Sequence, residues 1–178
     1  MAENDTTNQA AAATAEGDQA TGPQFALQRI YLKDASFESP RSPTVFQGKW
    51  APRINFDIKT RSEKLQDDVY EVVLVLTAEA QVEEKAAFLA EVHQAGIFTA
   101  KEFDAAQLEQ LLATVCPTIL FPYAREAIDA FVVKGSFPAL MLSPINFDVL
   151  YAQQKQQLAE QAKAKAGNGS SAEQSPAQ

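Results

Sequence analysis

The hydrophobic period of this chain changes once, shortly after Phe98, and that change restricts the fold more than any other feature of its 178 residues. Before it, apolar residues alternate or run in short blocks. Arg53 to Lys59 puts Ile54, Phe56 and Ile58 on one face of a half-buried strand. Val69 to Ala80 is apolar on both sides in its middle, which suits a central strand. Phe25 to Glu38 mixes aromatic and polar residues, with Asp34, Ser36 and Glu38 on one side. Glu83-Glu84 helps to form a turn into a fourth strand, Ala86 to Phe98. There Ala90, Val92 and Gln94 face one way while Leu89, Glu91 and His93 face the other.

Beyond Phe98 the apolar spacing becomes helical. Leu108, Leu111, Leu112 and Val115 fall at i, i+3, i+4 and i+7, with Asp104 as N-cap and Gln107 three residues on. Pro117 is expected to end that helix and Pro122 to begin the next, because proline fits a first turn. Ala124, Ala127, Ile128 and Phe131 then make one stripe, closed by Lys134-Gly135. A last helix starts after Asn146, with Phe147, Leu150 and Tyr151 inward. Strands followed by helices predict an α+β fold: a four-stranded antiparallel sheet with the C-terminal helices on one side.

Residues 1–24 hold almost nothing large to bury and read as a disordered tail, as does the stretch from Gly167 to Gln178. That leaves a folded domain over residues 25–151, then a solvated helix end and tail over 152–178. The first 24 residues lack a basic start with an apolar core, and no run approaches the roughly 20 apolar residues of a membrane span. A net charge of −8, most of it between the tails, disfavours nucleic acid. The single cysteine, Cys116, leaves no intrachain disulfide and suits a reducing compartment. A cytoplasmic protein without direct membrane insertion is the expectation.

Catalytic chemistry is hard to assemble from these residues. Cys116 and His93 are the candidates for a thiol–imidazole couple, and nothing local orients either. Asp67-Asp68 and Glu83-Glu84 fall at turns, where solvated charge belongs, and acid–base work needs a cleft. Glycine-rich phosphate loops and metal-ligand spacings are missing, so no catalytic residue, cofactor or metal is expected. What stands out is aromatic content near segment ends: Phe46 and Trp50 in a proline-bearing loop, and Phe121 and Tyr123 beside Pro122. These residues suit a core under a loop, or an aromatic-lined groove that accepts extended apolar segments.

Several strings, in order and spacing, resemble the SecB family of protein-export chaperones over roughly Phe25 to Tyr151. They are Gln28-Arg29-Ile30-Tyr31, Lys33-Asp34 with Ser36-Phe37-Glu38, Asp67 to Leu74, Cys116 to Glu126, and Gly135 to Asp148. The resemblance implies an ATP-independent holding chaperone, a homotetramer built as a dimer of dimers with helices packed between them. Such a chaperone keeps secretory precursors unfolded and delivers them to the motor SecA. It further implies a SecA dock at Asp34, Glu38, Leu89 and Glu91, and client contacts at Trp50, Ile54, Phe56 and Ile58, with Phe121 and Tyr123 nearby. Any zinc would belong to the basic tail of SecA. Ala90, Val92 and Gln94, a narrow stripe of low charge, are expected at the oligomer interface. The lysines of the C-terminal tail (Lys155, Lys163, Lys165) depart from the family pattern. Two alternatives stand beside this reading: a SecB-like chaperone dedicated to one partner such as an antitoxin, and a thioesterase-like enzyme using Glu126 or Asp129.

Overall fold

A computed structural model describes residues 22–168 of the chain. The expected N-terminal tail lies outside the described residues up to position 21, and Gln24 already opens the first strand. The expected C-terminal tail lies outside them from position 169, and Gly167 falls within the last helix.

Four strands, β1 (Gln24–Glu38), β2 (Arg53–Gln66), β3 (Val69–Val82) and β4 (Lys85–Lys101), form one sheet in the order β1-β4-β3-β2. Every neighbouring pair is antiparallel. The apolar β3 and the alternating β4 occupy the centre, as their burial requires. β2 continues well past Lys59, through a stretch without an apolar period, because its backbone pairs with β3 from Thr60↔Leu74 to Gln66↔Val69. Glu83 and Glu84 both take left-handed backbone angles (φ 54 and 60) between the paired Val82 and Lys85, the two-residue turn whose twist suits a hairpin.

Helices α1 (Ala105–Ala113), α2 (Val115–Lys134) and α3 (Phe147–Asn168) follow. Asp104 and Gln107 form the expected capping box: the Asp104 carboxylate accepts from the Gln107 N–H at 2.8 Å, and the Gln107 side chain accepts from the Asp104 N–H at 3.2 Å. The prolines act differently from expectation. α1 ends at Ala113, Thr114 breaks the path with φ −123 and ψ −58, and Pro117 sits in the first turn of α2. Pro122 does not start a helix; it lies inside α2. Its missing N–H deprives the Thr118 carbonyl of a helical donor, but both residues are exposed, where water can replace it.

The core lies between α2 and one face of the sheet. Val72, Leu74, Leu76 and Ala78 of β3 and Phe88, Ala90, Val92 and Phe98 of β4 pack with Cys116, Leu120, Ala124, Ile128 and Val132. Burying each larger aliphatic or phenyl side chain contributes about 1.5–3 kcal/mol. Gly96 permits the close approach of α2, since a Cβ there would stand 3.0 Å from Leu120 Cδ2 and 2.7 Å from Phe98 Cε2.

This packing corrects the interface expectation for the β4 stripe. Ala90 and Val92 are fully buried in the core of a single chain, and Gln94 is buried with its amide donating to the Tyr31 carbonyl at 2.9 Å. Small side chains here accommodate the chain's own helix, leaving no surface for a second copy.

Candidate docking face and client groove

The sheet has a second face, and the helices leave it bare. A separate small cluster, Val73, Val75 and Ala95 with Tyr31 against it, marks this side. β1 reaches it through an irregularity: Leu32 pairs with Gln94 and Asp34 with His93, so Lys33 is one residue too many for the ladder. The bulge puts Lys33 and Asp34 on the same side although they are adjacent. From there Asp34, Ser36 and Glu38 share the outer face with His93, Glu91 and Leu89, their direct partners on β4.

Reading across the strands gives three rows. Asp34, His93, Val75 and Lys59 form one; Ser36, Glu91, Thr77 and Asp57 the next; Glu38, Leu89, Glu79 and Asn55 the third. Leu89, half-buried, therefore has a carboxylate on each neighbouring strand, Glu38 and Glu79. The four residues expected at the dock come together on one flat surface. Glu79 is an addition that sequence reasoning missed, because only the β3–β4 register places it beside Leu89; the alternation of β3 alone was the available signal.

Glu91 is held from two sides. Its Oε1 lies 2.8 Å from His93 Nε2, and its Oε2 accepts from the Thr77 hydroxyl at 3.0 Å. The His93 bond, then the Thr77 bond, keep its carboxyl below the usual carboxylate range. Further along the face, Glu71 accepts from the Tyr31 hydroxyl and, at 2.6 Å, from Lys33. Burial pushes the Glu71 carboxyl up, but these two bonds and the Lys33 charge outweigh it and bring it down.

On the helix side, the expected client residues are only partly gathered. Phe137 is the hub of an aromatic cluster with ring centroids at 5.2 Å from Phe46, 5.2 Å from Trp50 and 5.0 Å from Phe88. Trp50 is half-buried, while Phe46 remains 48% exposed. Ile54, Phe56 and Ile58 lie on the helix-facing side of the edge strand β2, and Ile54 is exposed. Ile58 opens into a cleft of about 470 Å³ shared with Leu112, Phe147, Leu150, Tyr151 and Leu158. Phe121 and Tyr123 do not line one surface. With α2 continuous through Pro122, residues two apart point to different sides. Phe121 is buried edge-on to Phe147 (6.1 Å), and Tyr123 is 51% exposed.

Enzyme-like groupings do not form at the positions considered. Burial raises the Cys116 thiol to about 12, far from a reactive thiolate. The Asp129 carboxylate is occupied by the Leu140 and Met141 N–H groups, and Glu126 is exposed. Among the described residues, no group of three or more His, Cys, Asp and Glu side chains is placed to hold a metal ion. Nor is any helix among them long and apolar enough to cross a membrane.

Comparison with known proteins agrees with this architecture. The model of the family "Preprotein translocase subunit SecB" matches residues 18–158. The protein-export protein SecB of Marinobacter nauticus is 58% identical over 145 residues, covering 78% of this chain and 88% of the relative. That of Pseudomonas fluorescens (strain Pf0-1) is 53% identical over 147 residues, covering 83% and 91%. Among solved structures, a Mycobacterium tuberculosis SecB-like chaperone in complex with an antitoxin peptide superposes with a TM-score of 0.58 at 17% identity. It covers 68% of this chain and 91% of that one, a likeness of fold. Matched by that family model over most of its length and by export proteins at 53% and 58% identity, the chain belongs to the SecB family of protein-export chaperones.

Proposed function

We propose that this export chaperone works without nucleotide in the cytoplasm, as a homotetramer of two dimers, holding unfolded secretory precursors and delivering them to SecA. The observation that carries the delivery step is the arrangement around Leu89: an apolar contact with Glu38 and Glu79 on its flanks, Glu91 and Asp34 in the adjoining rows, and no helix above. A small basic module, such as the zinc-bearing tail of SecA, matches that chemistry. Exposed ion pairs contribute only about 0–1 kcal/mol each and are screened by salt. Several on one flat face nonetheless steer and orient a cationic partner.

Calorimetric titration with the SecA tail, at low and raised salt, tests the dock. Glu91→Lys removes an attraction and adds a repulsion, so it should weaken binding more than Glu91→Gln. Neither should change client holding. Equal affinity for the parent and Glu91→Lys, or binding indifferent to salt, would overturn the assignment.

Client holding is supported by the exposed Phe46 on the Phe137 cluster and by the apolar residues Ile58, Leu150 and Leu158 in a cleft whose remaining lining includes Lys59, Glu109 and Lys155. A protein that binds the unfolded and not the native client shifts folding by mass action, so slow folders are retained. Trp50→Ser with Phe56→Ser should weaken suppression of aggregation of an unfolded precursor, with no effect of ATP. Phe46→Ser should do so at little cost in stability, because Phe46 is the exposed member of the cluster. Parent-like protection by all these variants would place the groove elsewhere.

The tetramer is supported by the outer stripe of α2. Val115, Pro122, Tyr123 and Val133 are exposed at helical spacing opposite the buried stripe, with half-buried Ile119 and Ala130 beside them and Glu126 as the charged member among them. A second copy of this chain is the occupant that the family's packing of helices between dimers calls for.

A further inference from the structure

His93 belongs to the outer sheet face, yet it contributes no carboxylate and no large apolar surface to the dock described above. Its position is specific. It stands directly across from Asp34 on β1 and two residues from Glu91 on β4, and its Nε2 lies 2.8 Å from Glu91 Oε1. Because a carboxylate only accepts, Nε2 must carry the hydrogen. Thr77 holds the other Glu91 oxygen at 3.0 Å, so the carboxylate is pinned from both sides.

We propose that His93 is a positioning residue for docking, holding the Glu91 carboxylate in place for a cationic partner through its Nε2 hydrogen bond. This rests on the reading of the Asp34, Glu38 and Glu91 face as the SecA dock.

The neighbouring groups leave this role to His93. Asp34, its direct partner on β1, only accepts while ionised and has no hydrogen to give Glu91. Lys33 is engaged with Glu71, and Lys59 with Asp57. The side-chain hydrogen bonds that fix the two Glu91 oxygens are those of His93 and Thr77. Without the His93 bond the carboxylate is free to rotate about its Thr77 contact, and a partner must then order it on binding.

The test compares affinity for the SecA tail at one pH in the parent, His93→Gln, His93→Leu, Glu91→Gln, Glu91→Lys and the His93→Leu/Glu91→Gln double variant, all as full chains. Glutamine can still donate to Glu91, so His93→Gln should match the parent. His93→Leu should bind about two- to fivefold more weakly, the scale of one lost hydrogen bond. In the Glu91→Gln background the same leucine should cost little more. Full affinity for His93→Leu would overturn the proposal, as would equal losses in His93→Gln and His93→Leu. If Glu91→Lys binds like the parent, it is the dock itself that is misplaced, an outcome distinct from failure of His93. Circular dichroism identifies any variant that fails to fold.

Discussion

The Asp129 carboxylate on α2 receives the backbone N–H of Leu140 at 2.9 Å, and through the same oxygen that of Met141 at 3.3 Å. Those two bonds, with Arg125 Nη1 donating to the Leu142 carbonyl at 3.3 Å, fasten the irregular segment between α2 and α3 to the helix. The segment turns through left-handed residues at Ser136 and Met141 and seats Phe137 among the aromatic side chains. Asp129→Ala should destabilise the fold by about 1–3 kcal/mol, since a half-buried Leu140 N–H loses a charged acceptor. Asp129→Asn, which keeps an oxygen there, should cost less. Urea denaturation followed by circular dichroism measures both, and equal midpoints for the alanine variant and the parent would show that the fastening carries no weight.

Gly135 ends α2 with an ordinary backbone angle (φ −74), so its lack of a side chain matters for space. A Cβ there would land on the Phe37 ring. Gly135→Ala should therefore destabilise by about 1–3 kcal/mol through overpacking. Combining it with Phe37→Leu should recover part of that loss, a coupling visible in a double-mutant denaturation cycle.

Tyr31 and Glu71 give the outer face two opposite pH dependences. The bond to Glu71, followed by burial, raises the Tyr31 hydroxyl to about 12. A raised value stabilises the fold fully below the ordinary tyrosine pKa of about 10, and that contribution disappears as pH rises through the folded value. Glu71 is lowered, so its contribution is present above the ordinary glutamate pKa of about 4.3 and is lost as pH falls through the folded value. Phenolate absorbance should show one tyrosine titrating late in the parent, and Glu71→Gln should bring it back toward 10. An unchanged titration curve in that variant would remove the bond as the cause.

For the outer stripe of α2, Val115→Glu with Val133→Glu should turn the proposed tetramer into dimers while helical content stays native, because both positions are exposed in the single chain. Sedimentation velocity reads the result. A persistent tetramer would exclude this stripe as the contact.

The four strands, the capping box and the two-sidedness of β4 were legible because each rests on local periodicity. The role of Pro122 was not. The rule that proline opens helices is sound, but an exposed residue four positions earlier tolerates the loss of a donor to its carbonyl, and only the surroundings reveal that exposure. The Ala90 stripe failed for a related reason. Small residues in a strand signal close approach, and the sequence does not say whether the approaching surface is a second chain or the chain's own α2. Of the proposed docking face, Asp34, Glu38, Leu89 and Glu91 could be grouped by alternation and resemblance. Glu79 could not, since its neighbourhood with Leu89 depends on register between strands. The second half of β2 was invisible for want of any apolar period, its strand character coming from pairing alone.

The bulge at Lys33 has a consequence for how this chain can change over time. Strands tolerate gain or loss of a residue poorly, because a shift of one exchanges every side chain downstream between the two faces. In β1 such a shift would turn Asp34, Ser36 and Glu38 against the helices and throw Ala35 and Phe37 out to water. Lys33 is itself the surplus residue, so its removal would let Leu32 run directly into Asp34 with each later side chain still on its present side. As at its earlier irregularity between Leu27 and Arg29, the strand here holds a position where length is negotiable, next to a proposed docking edge whose phase is not.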